Sequence, residues 1–421
     1  MIRFYNGRVL ESLDVTENEV WTDGAKIAYV GPARADMPAF EREIDLRGDL
    51  LMPGFKNAHT HSAMTFLRSL ADDLPLQDWL FRQVFPREAK LNPERVRAFT
   101  KVAFLEYLAN GITACFDMYF HTDEFIRVAA DWGFRAVLCE ALGADSEDWS
   151  RIYDRYDRYN RFHPLVSYQL GFHAEYTASV DMLKYLSKAA HELKAPVWSH
   201  NSETRTEVDE CVQRHGATPT RLFDDLGLFD FGGGGFHCVW LSDEDIEIFR
   251  DRGLYAVLNA CSNGKLASGI PPLRRLMDAG VKLAVGTDGP ASNNALDFFR
   301  EMYLINILAK LSENNAAAGD PALILEAAVS GGAHAMGLND CDRIAAGKQA
   351  DLIVIDMHRP NMRPVNNVVK NLVYSGNPGN VLMTMIAGRI RYERGEFFVG
   401  EDPERIYREA ERLAAQIIAE A

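Results

Sequence analysis

The sequence predicts an α/β protein: a (β/α)8 TIM barrel with a small composite β-sandwich domain that the N- and C-terminal segments form together. Short apolar or β-branched runs alternate with longer helical patterns through the middle of the chain, which is typical of a parallel sheet flanked by helices. Histidine or acidic residues fall at the C-terminal ends of predicted strands one, four, five, six and eight. A barrel gathers such ends at one mouth, whereas a doubly wound open sheet, the competing architecture, spreads them out.

The barrel prediction rests on strand-like runs bounded by turn signals. In chain order these runs are Lys56–His61, Ile112–Met118, Arg135–Ala141, Leu165–His173, Pro196–His200, Phe236–Leu241, Tyr255–Asn259 and Lys282–Gly286. Helical periodicity predicts helices between them, for example over Pro93–Asn110, Ser179–Lys194, Ser242–Gly253 and Leu296–Leu311. Serine at the start of two helices and glycine at the end of others are ordinary helix boundary signals.

The two ends of the chain show a different pattern, of short strands separated by tight turns. The predicted N-terminal strands are Ile2–Tyr5, Val9–Leu10, Lys26–Val30 and Asp45–Leu51. The predicted C-terminal strands are Asp351–Asp356, Asn371–Val373, Val381–Ile386 and Arg389–Arg391. Each segment is too short to bury a core alone, so we expect residues 1–55 and 340–421 to form one composite β-sandwich and residues 56–339 to form the barrel.

Composition excludes several classes of protein. The chain has 421 residues and a formal net charge of −15, from 45 basic and 60 acidic residues, which disfavours nucleic-acid binding. It shows no apolar run of the roughly 18 residues that a membrane span needs and no secretory signal at the N-terminus. Its six cysteines are scattered without a C-x-x-C pair, which favours a reducing, cytoplasmic location over a disulfide scaffold.

The strongest candidate site begins with His59 and His61 on the first barrel strand. Alternate residues of a strand point to the same face, so both imidazoles can bind one metal ion. His200, His237 and Asp288 end strands five, six and eight. Taken singly, such a histidine is usually a hydrogen-bonded core residue, and an aspartate before glycine is usually a turn residue. Together, at converging strand ends, the five residues indicate a metal site.

The segment Met52–His61 resembles the PG-x-x-x-x-H-x-H sequence that opens the barrel of the amidohydrolase superfamily. The resemblance implies one divalent metal held by His59, His61, His200 and Asp288. This donor set suits Zn²⁺, with Fe²⁺ or Mn²⁺ as alternatives. Superfamily members with two metals carry a bridging carboxylated lysine on strand four, and Val166–His173 contains no lysine. We therefore expect a mononuclear site.

The same resemblance implies catalytic roles. A bound divalent metal lowers the pKa of water to roughly 7 and supplies hydroxide at neutral pH. Asp288 is expected to accept the proton of that water, and His237 to hydrogen-bond the water or the developing oxyanion. Glu203, three residues beyond His200, is not needed to hold the metal. We expect it to be the acid that protonates a ring nitrogen and shuttles protons to the leaving amine.

Three further segments resemble the methylthioadenosine/S-adenosylhomocysteine deaminase branch of the superfamily: Leu241–Glu244, Ser262–Gly269 and Thr287–Asn294. This resemblance covers nearly the whole chain. It implies hydrolytic deamination at C6 of an adenine nucleoside: adenosine, 5′-deoxyadenosine, 5′-methylthioadenosine or S-adenosylhomocysteine. It also implies a homo-oligomer, a dimer or tetramer.

The resemblance assigns substrate contacts as well. Trp79 is expected to pack on the ligand, Glu88 to accept the ribose hydroxyls and His173 to lie over the ligand. Related proteins that bind S-adenosylhomocysteine carry arginines after strand three that can pair with its carboxylate. Here that strand ends in Glu140, which we expect to be a substrate-binding residue, with Arg151 and Arg155 further along as substitutes for the missing cations. We therefore expect a preference for nucleosides without a carboxylate.

Two alternatives remain open from the sequence. Aminohydrolases or chlorohydrolases that act on guanine, a pterin or an s-triazine share the metal residues, so those residues do not discriminate among substrates. A metal-binding barrel without catalytic activity is the alternative from another class. The presence of Glu203 and His237, which are not needed to hold a metal, disfavours that second alternative.

Overall fold

The computed structural model describes residues 1–70, 72–143 and 148–420. The N-terminal strands are β1 (Ile2–Tyr5), β2 (Arg8–Glu11), β3 (Asp14–Thr16), β4 (Glu19–Asp23), β5 (Lys26–Gly31), β6 (Arg42–Asp45) and β7 (Leu50–Pro53). The prediction of one strand over Asp45–Leu51 is wrong, because Arg47 and Gly48 adopt φ of 50° and 88° and turn the chain there.

The central strands form two parallel sheets, with the orders β11-β10-β9-β8 and β12-β13-β14-β15-β16. They are β8 (Phe55–Thr60), β9 (Ile112–Tyr119), β10 (Arg135–Glu140), β11 (Val166–Tyr168), β12 (Leu170–Gly171), β13 (Val197–Asn201), β14 (Gly233–His237), β15 (Tyr255–Leu258) and β16 (Lys282–Val285). The single predicted strand Leu165–His173 is therefore two short strands at the edges of different sheets.

The sixth predicted barrel strand lies earlier in the chain than expected. It was predicted over Phe236–Leu241 but runs over Gly233–His237. Glycine is required there because a Cβ on Gly233 would lie 1.9 Å from the carbonyl oxygen of Val197, and one on Gly234 would lie 2.2 Å from that of Tyr255. Glycines carry no hydrophobic signal, so the pattern pointed instead to the apolar residues that follow.

The C-terminal strands are β17 (Leu352–Ile355), β18 (Val381–Ile386), β19 (Arg389–Glu393) and β20 (Glu396–Phe397). They join the N-terminal segment in a sheet of order β20-β19-β18-β17-β7-β2-β3, while β5-β4-β1-β6 form a second sheet. The strand predicted at Asn371–Val373 is wrong. These residues lie in a helix, Val368–Tyr374, which begins where the side chain of Asn367 accepts a hydrogen bond from the Lys370 N–H at 2.9 Å.

Helices connect the central strands and cover the sheets. They are α1 (Leu76–Trp79), α2 (Phe85–Glu88), α3 (Pro93–Ala109), α4 (Thr122–Trp132), α5 (Arg151–Phe162), α6 (Val180–Leu193), α7 (Arg205–His215), α8 (Pro219–Asp225), α9 (Asp243–Asp251), α10 (Ala260–Lys265), α11 (Leu273–Ala279), α12 (Phe298–Ser312), α13 (Pro321–Glu326), α14 (Gly332–Ala335), α15 (Val368–Tyr374) and α16 (Pro403–Glu420). The helices predicted from periodicity all form, with ends shifted by at most two residues. Within the described residues, no helix combines the length and apolar character that a membrane crossing requires.

The core places the strand ends of both parallel sheets close together. One buried cluster contains Ala58 and Phe116 from one sheet with Trp198, Phe236 and Val257 from the other. The backbone N–H of Asp288, after β16, donates to the carbonyl oxygen of His59 in β8 at 3.0 Å. The first and last central strands are thus neighbours.

Candidate active site

Histidines and an aspartate converge at the C-terminal ends of the central strands. Ligand atoms of His59, His200, His237 and Asp288 all lie within 4.8 Å of one another, and all four residues are buried. His61 points to the same place, since its Nε2 lies 3.2 Å from Asp288 Oδ1. The structure therefore gathers every residue predicted to bind the metal, and His237 lies as close to the cluster as the predicted ligands do.

The orientation of two imidazoles is fixed by backbone carbonyls. His61 Nδ1–H donates to the Met118 carbonyl oxygen at 2.5 Å, and His200 Nδ1–H donates to the His173 carbonyl oxygen at 2.8 Å. A carbonyl only accepts, so the proton must be on Nδ1 and a neutral ring keeps its lone pair on Nε2. This arrangement is typical of histidines that bind metals.

His59 is a buried imidazole without a hydrogen-bond partner for either ring nitrogen among the described residues. Its ring stacks on Phe236 with centroids 3.8 Å apart. Burial lowers the pKa of His59 to about 3, so the ring is neutral and able to act as a ligand. An unpartnered buried polar group is costly, and a metal ion among these residues would supply the missing partner.

The two oxygens of the Asp288 carboxylate have different surroundings: serine hydroxyls bind one, and the other faces the histidines. Oδ2 accepts hydrogen bonds from the hydroxyls of Ser262 and Ser292, each at 2.6 Å. Oδ1 faces Nε2 of His59 at 3.3 Å. Burial alone would raise the pKa of Asp288, but the imidazoles of His59 and His61 hold it well below its usual range. Asp288 is therefore ionised, and its Oδ1 is directed at the histidine cluster.

The backbone is strained at several of these positions. His237, Asp288 and Ser202 adopt φ of 71°, 57° and 52°, a left-handed region that non-glycine residues rarely occupy. Such strain is typical of functional sites, where the surrounding structure imposes an unfavourable conformation in order to aim a side chain.

Glu203 lies beside this cluster and is buried, with 3% of its surface exposed. Its backbone N–H donates to Oε2 of Glu207 at 2.7 Å, so the start of α7 anchors it. The Ser268 hydroxyl donates to Glu203 Oε1 at 3.1 Å, and Glu203 Oε2 lies 3.8 Å from His237 Nε2. Burial raises the pKa of Glu203. It can therefore keep a proton at a higher pH than an ordinary glutamate, as a general acid requires.

Sequence reasoning missed the residues that hold the reactive groups in place. Asn263 Oδ1 lies 2.7 Å from His237 Nδ1 and accepts a hydrogen bond from its N–H, which leaves the Nε2 lone pair facing the pocket. Ser262, Ser268 and Ser292 fix the two carboxyl groups. These small polar residues resemble ordinary loop residues, and the one signal that could have found them is their place in the segments that follow β15 and β16.

The cluster forms the floor of a largely apolar pocket that also contains Glu203. Its wall includes the three residues Trp79 (in α1), Glu88 (in α2) and His173, for which the sequence predicted substrate contacts. Trp79 is 4% exposed, and its Nε1–H has no partner among the described residues. The Tyr119 hydroxyl donates to Glu88 Oε1 at 2.6 Å, and burial raises the pKa of Glu88 to about 7.

His173 connects the pocket wall to the cluster. Its ring centroid lies 4.9 Å from that of His200, and its Nδ1 lies 2.9 Å from the Thr177 hydroxyl. Burial lowers the pKa of His173 to about 4. The His173 ring is therefore neutral. The backbone carbonyl group of His173 orients the imidazole of His200.

Glu140, in contrast, does not line the pocket; the wall there is Ala141. The Glu140 carboxylate pairs with Arg155 and accepts a hydrogen bond from the Tyr168 hydroxyl at 3.3 Å. Arg151 is 60% exposed at its side chain and lies 3.7 Å from Asp148. The structure thus engages one candidate cation with Glu140 and leaves the other at the surface.

The chain is similar to known proteins over nearly its full length. The model of the amidohydrolase family matches residues 50–391. The 5-methylthioadenosine/S-adenosylhomocysteine deaminase of Thermococcus kodakarensis is 38% identical over 394 residues, which is 91% of this chain and 92% of that protein. The protein of the same name from Pyrococcus furiosus is 36% identical over 93% of this chain and 95% of its own length.

A solved structure has the same architecture. The zinc-bound adenosine deaminase from Xanthomonas campestris superposes with a TM-score of 0.94 at 34% sequence identity, covering 99% of this chain and 98% of that one. The family match and these relatives agree with the geometry of the histidine and aspartate cluster. The chain belongs to the amidohydrolase family.

Proposed function

We propose that this protein is a zinc-dependent hydrolytic deaminase of adenine nucleosides. One observation carries the proposal: the Glu203 carboxyl is buried 3.8 Å from His237, beside a histidine and aspartate cluster at the floor of an apolar pocket. A protein that merely stores metal needs no buried acid in that place. The deaminases that resemble this chain support the same reaction.

The residues present fit a single divalent metal. We assign His59, His61, His200 and Asp288 as its ligands, with zinc as the metal and iron or manganese as alternatives. His59 brings two buried nitrogens that have no hydrogen-bond partner among the described residues, and His61 brings an Nε2 that lies 3.2 Å from Asp288 Oδ1. When bound, zinc lowers the pKa of coordinated water to roughly 7 and supplies hydroxide at neutral pH.

The protein's own side chains then manage the protons. Glu203 delivers its proton to purine N1, which makes C6 more electrophilic. Asp288, ionised and beside the metal position, accepts the first proton of the attacking water. The Glu203 carboxylate then takes up the second proton of that water and passes it to the departing amine, and the proton held by Asp288 restores Glu203. Because Asn263 engages His237 Nδ1–H, His237 Nε2 is an acceptor that orients this water.

The pocket wall supplies the contacts for a nucleoside. Glu88 is positioned to accept the ribose hydroxyls, because Tyr119 occupies one of its oxygens and leaves the other available. Trp79 packs against the ligand and offers an indole N–H that has no hydrogen-bond partner within the described part of the chain. His173, which also lines the pocket, lies over the ligand.

The 5′ substituent is expected to be uncharged. None of the described residues that line the pocket is lysine or arginine, and Glu140 already engages Arg155. A carboxylate placed against apolar side chains loses its hydration without gaining a cation. We therefore propose that adenosine, 5′-deoxyadenosine and 5′-methylthioadenosine are better substrates than S-adenosylhomocysteine.

The test is ammonia release from these four nucleosides and guanine, measured side by side with zinc-loaded protein. We expect Glu203→Gln to lower kcat by about 100-fold or more, since general acid catalysis contributes roughly 10²- to 10⁴-fold. Glu411→Gln, on the exposed face of α16, is the matched control. Unchanged turnover in Glu203→Gln would remove Glu203 from the mechanism. Equal or better turnover of S-adenosylhomocysteine would contradict the substrate preference, and no turnover of any ring amine would favour a binding protein.

We also propose that the two parallel sheets close into a (β/α)8 barrel over residues 56–339, and that residues 1–55 and 340–421 form a β-sandwich. The bond from Asp288 to His59 and the apolar cluster shared by both sheets support closure. Phe4 and Val20 of one end sheet share a buried cluster with Leu352 of the other, which supports the sandwich.

The protein is further proposed to be a cytoplasmic dimer or tetramer that binds neither nucleic acid nor membranes. All six cysteines are free and buried, which fits a reducing compartment. Light scattering coupled to size-exclusion chromatography measures the oligomeric state directly. A monomer across the accessible concentration range would contradict this proposal.

A further inference from the structure

We propose that the segment Ser262–Ser268, which follows β15, positions the groups that move protons, and that Ser268 selects which oxygen of Glu203 carries the proton. This inference rests on the proposed deaminase function. Ser262 donates to Asp288 Oδ2 at 2.6 Å, Asn263 accepts from His237 at 2.7 Å, and Ser268 donates to Glu203 Oε1 at 3.1 Å. One short segment therefore contacts all three groups.

Ser268 is well placed for this role because both partners are buried. Ser268 is 4% exposed and Glu203 is 3% exposed, so water does not compete strongly for the bond. Among the described residues, Ser268 is the one whose side chain donates a hydrogen bond to the Glu203 carboxyl. A bond made in such surroundings is stronger than one at the surface.

The backbone of Ser268 is held from two sides. Its N–H donates to the Asn263 carbonyl oxygen at 2.9 Å, and its own carbonyl oxygen accepts from Trp240 Nε1–H at 2.7 Å. Gly269 follows with φ of 132°, and a Cβ there would lie 2.7 Å from Val239 Cγ1. The hydroxyl therefore starts from a fixed point, and its removal is expected to leave the segment in place.

The bond has a chemical consequence. The terminal torsion of a glutamate is broad and roughly two-fold, so a free carboxyl exchanges its two oxygens. Because the Ser268 hydroxyl donates to Oε1, the acidic proton resides on Oε2, the oxygen that lies 3.8 Å from His237 Nε2. When the Oε2–H bond breaks and an N–H bond forms at purine N1, the new carboxylate keeps the Ser268 hydrogen bond at Oε1. Ser268 is thus a positioning residue that acts through Glu203.

The first test compares Ser268→Ala, Ser268→Thr and, as a matched control, Ser312→Ala on the exposed end of α12. We expect Ser268→Ala to lower kcat by about 10- to 100-fold, a fraction of the general-acid contribution, while KM changes by no more than about 2-fold. Ser268→Thr retains the hydroxyl and is expected to restore most of kcat. A rise in KM with kcat unchanged would overturn the assignment.

A double-mutant cycle separates this role from a general structural one. In the Glu203→Gln background, Ser268→Ala is expected to cause no further loss, because its effect passes through the Glu203 carboxyl. Equal losses in both backgrounds would overturn the proposal. Zinc content and the thermal midpoint are expected to match those of the parent protein.

A readout that does not depend on activity completes the test. In a crystal structure of Ser268→Ala, the Glu203 carboxyl is expected to rotate or to occupy two orientations. One unchanged orientation would overturn the proposal even if no nucleoside proved to be a substrate. Absence of ammonia release by the parent protein would instead contradict the proposed function, so the two failures are distinguishable.

Discussion

Asp288 contacts His59 through both its backbone and its side chain. Its N–H donates to the His59 carbonyl oxygen at 3.0 Å, and its Oδ1 lies 3.3 Å from His59 Nε2. The two residues end strands that are far apart in sequence, β16 and β8. A metal held by both side chains therefore reinforces a junction that the backbone bond already makes, and that junction exists only in the folded chain.

Removal of the metal is expected to destabilise the protein. A ligand that binds the folded state alone contributes about 4 kcal/mol when its free concentration is about 1,000 times its Kd. The thermal midpoint of chelator-treated protein should therefore fall and should return when zinc is restored. His59→Ala should show a low midpoint that zinc does not change. Identical midpoints with and without metal would contradict this junction.

The buried cluster of titratable residues could be predicted from the sequence because its residue types are distinctive. Histidine, aspartate and glutamate at the ends of apolar strands stand out, and the structure brings His59, His200, His237 and Asp288 within 4.8 Å. The residues that orient them could not be predicted. Asn263 is an ordinary loop residue until the fold places it 2.7 Å from a histidine of another strand.

The fold errors have a common physical origin, since local pattern does not record tertiary context. Gly233 and Gly234 form a strand because neighbouring backbones leave no room for a Cβ, a constraint that hydrophobicity does not show. The apolar run in Val368–Tyr374 suits a short strand, yet the Asn367 cap and packing against α12 and α13 make it a helix. Glu140 similarly looked like a pocket residue until its pairing with Arg155 was visible.

Ionised Glu88 is expected to lower the free energy of unfolding while it strengthens the binding of the substrate. Burial raises the pKa of Glu88 in the folded state to about 7, above the ordinary value of 4.5, so the folded state binds more protons than the unfolded state between these pH values. The free energy of unfolding therefore falls as pH rises through that window, and the full cost is present above pH 7. Glu88→Gln removes this cost.

Denaturant unfolding should thus show a stability difference between Glu88→Gln and the parent protein that grows in favour of the variant from pH 4.5 to pH 8. The variant's KM for adenosine should rise by at least about 10-fold, since hydrogen bonds to charged groups contribute roughly 1.5–3 kcal/mol. Glu411→Gln serves as the control. A KM that does not change would remove Glu88 from the binding site.

Ala141 is the position at which a cation should change substrate choice. It lines the pocket next to the engaged Glu140, so Ala141→Arg places a guanidinium where the wall lacks one. We expect kcat/KM for S-adenosylhomocysteine relative to 5′-methylthioadenosine to rise by about 10-fold, the size of a charge-assisted hydrogen bond. Ala141→Gln adds comparable bulk without charge and should not change the ratio. If Ala141→Arg and Ala141→Gln show the same ratio of kcat/KM values, the 5′ substituent does not lie near Ala141.

The pair Arg135–Asp351 is expected to stabilise the union of the central sheet with the C-terminal segment. Arg135 in β10 donates from Nε at 2.6 Å and from Nη2 at 3.0 Å to the Asp351 carboxylate, and the Ala387 N–H donates to it at 2.8 Å. The side chains of Arg135 and Asp351 are 6% and 0% exposed. Asp351→Asn therefore leaves a buried guanidinium without its counter-charge.

Breaking a buried pair in this way costs about 3–5 kcal/mol, so the urea midpoint of Asp351→Asn should fall markedly. Burial alone would raise the pKa of Asp351, but Arg135 lowers it. Its stabilising contribution is then present above the ordinary value of 3.8 and is lost as pH falls below it. The difference between Asp351→Asn and the parent protein should accordingly be full at pH 7 and should shrink in acid.

Two variants complete this prediction. Asp278→Asn disrupts the exposed pair with Arg274, whose side chains are 58% and 48% exposed, and should change stability by less than about 1 kcal/mol. Replacing both buried partners, by Arg135→Met with Asp351→Leu, should recover much of the loss because no uncompensated charge remains. If Asp351→Asn is no more harmful than Asp278→Asn, the buried pair does not hold the two parts of the chain together.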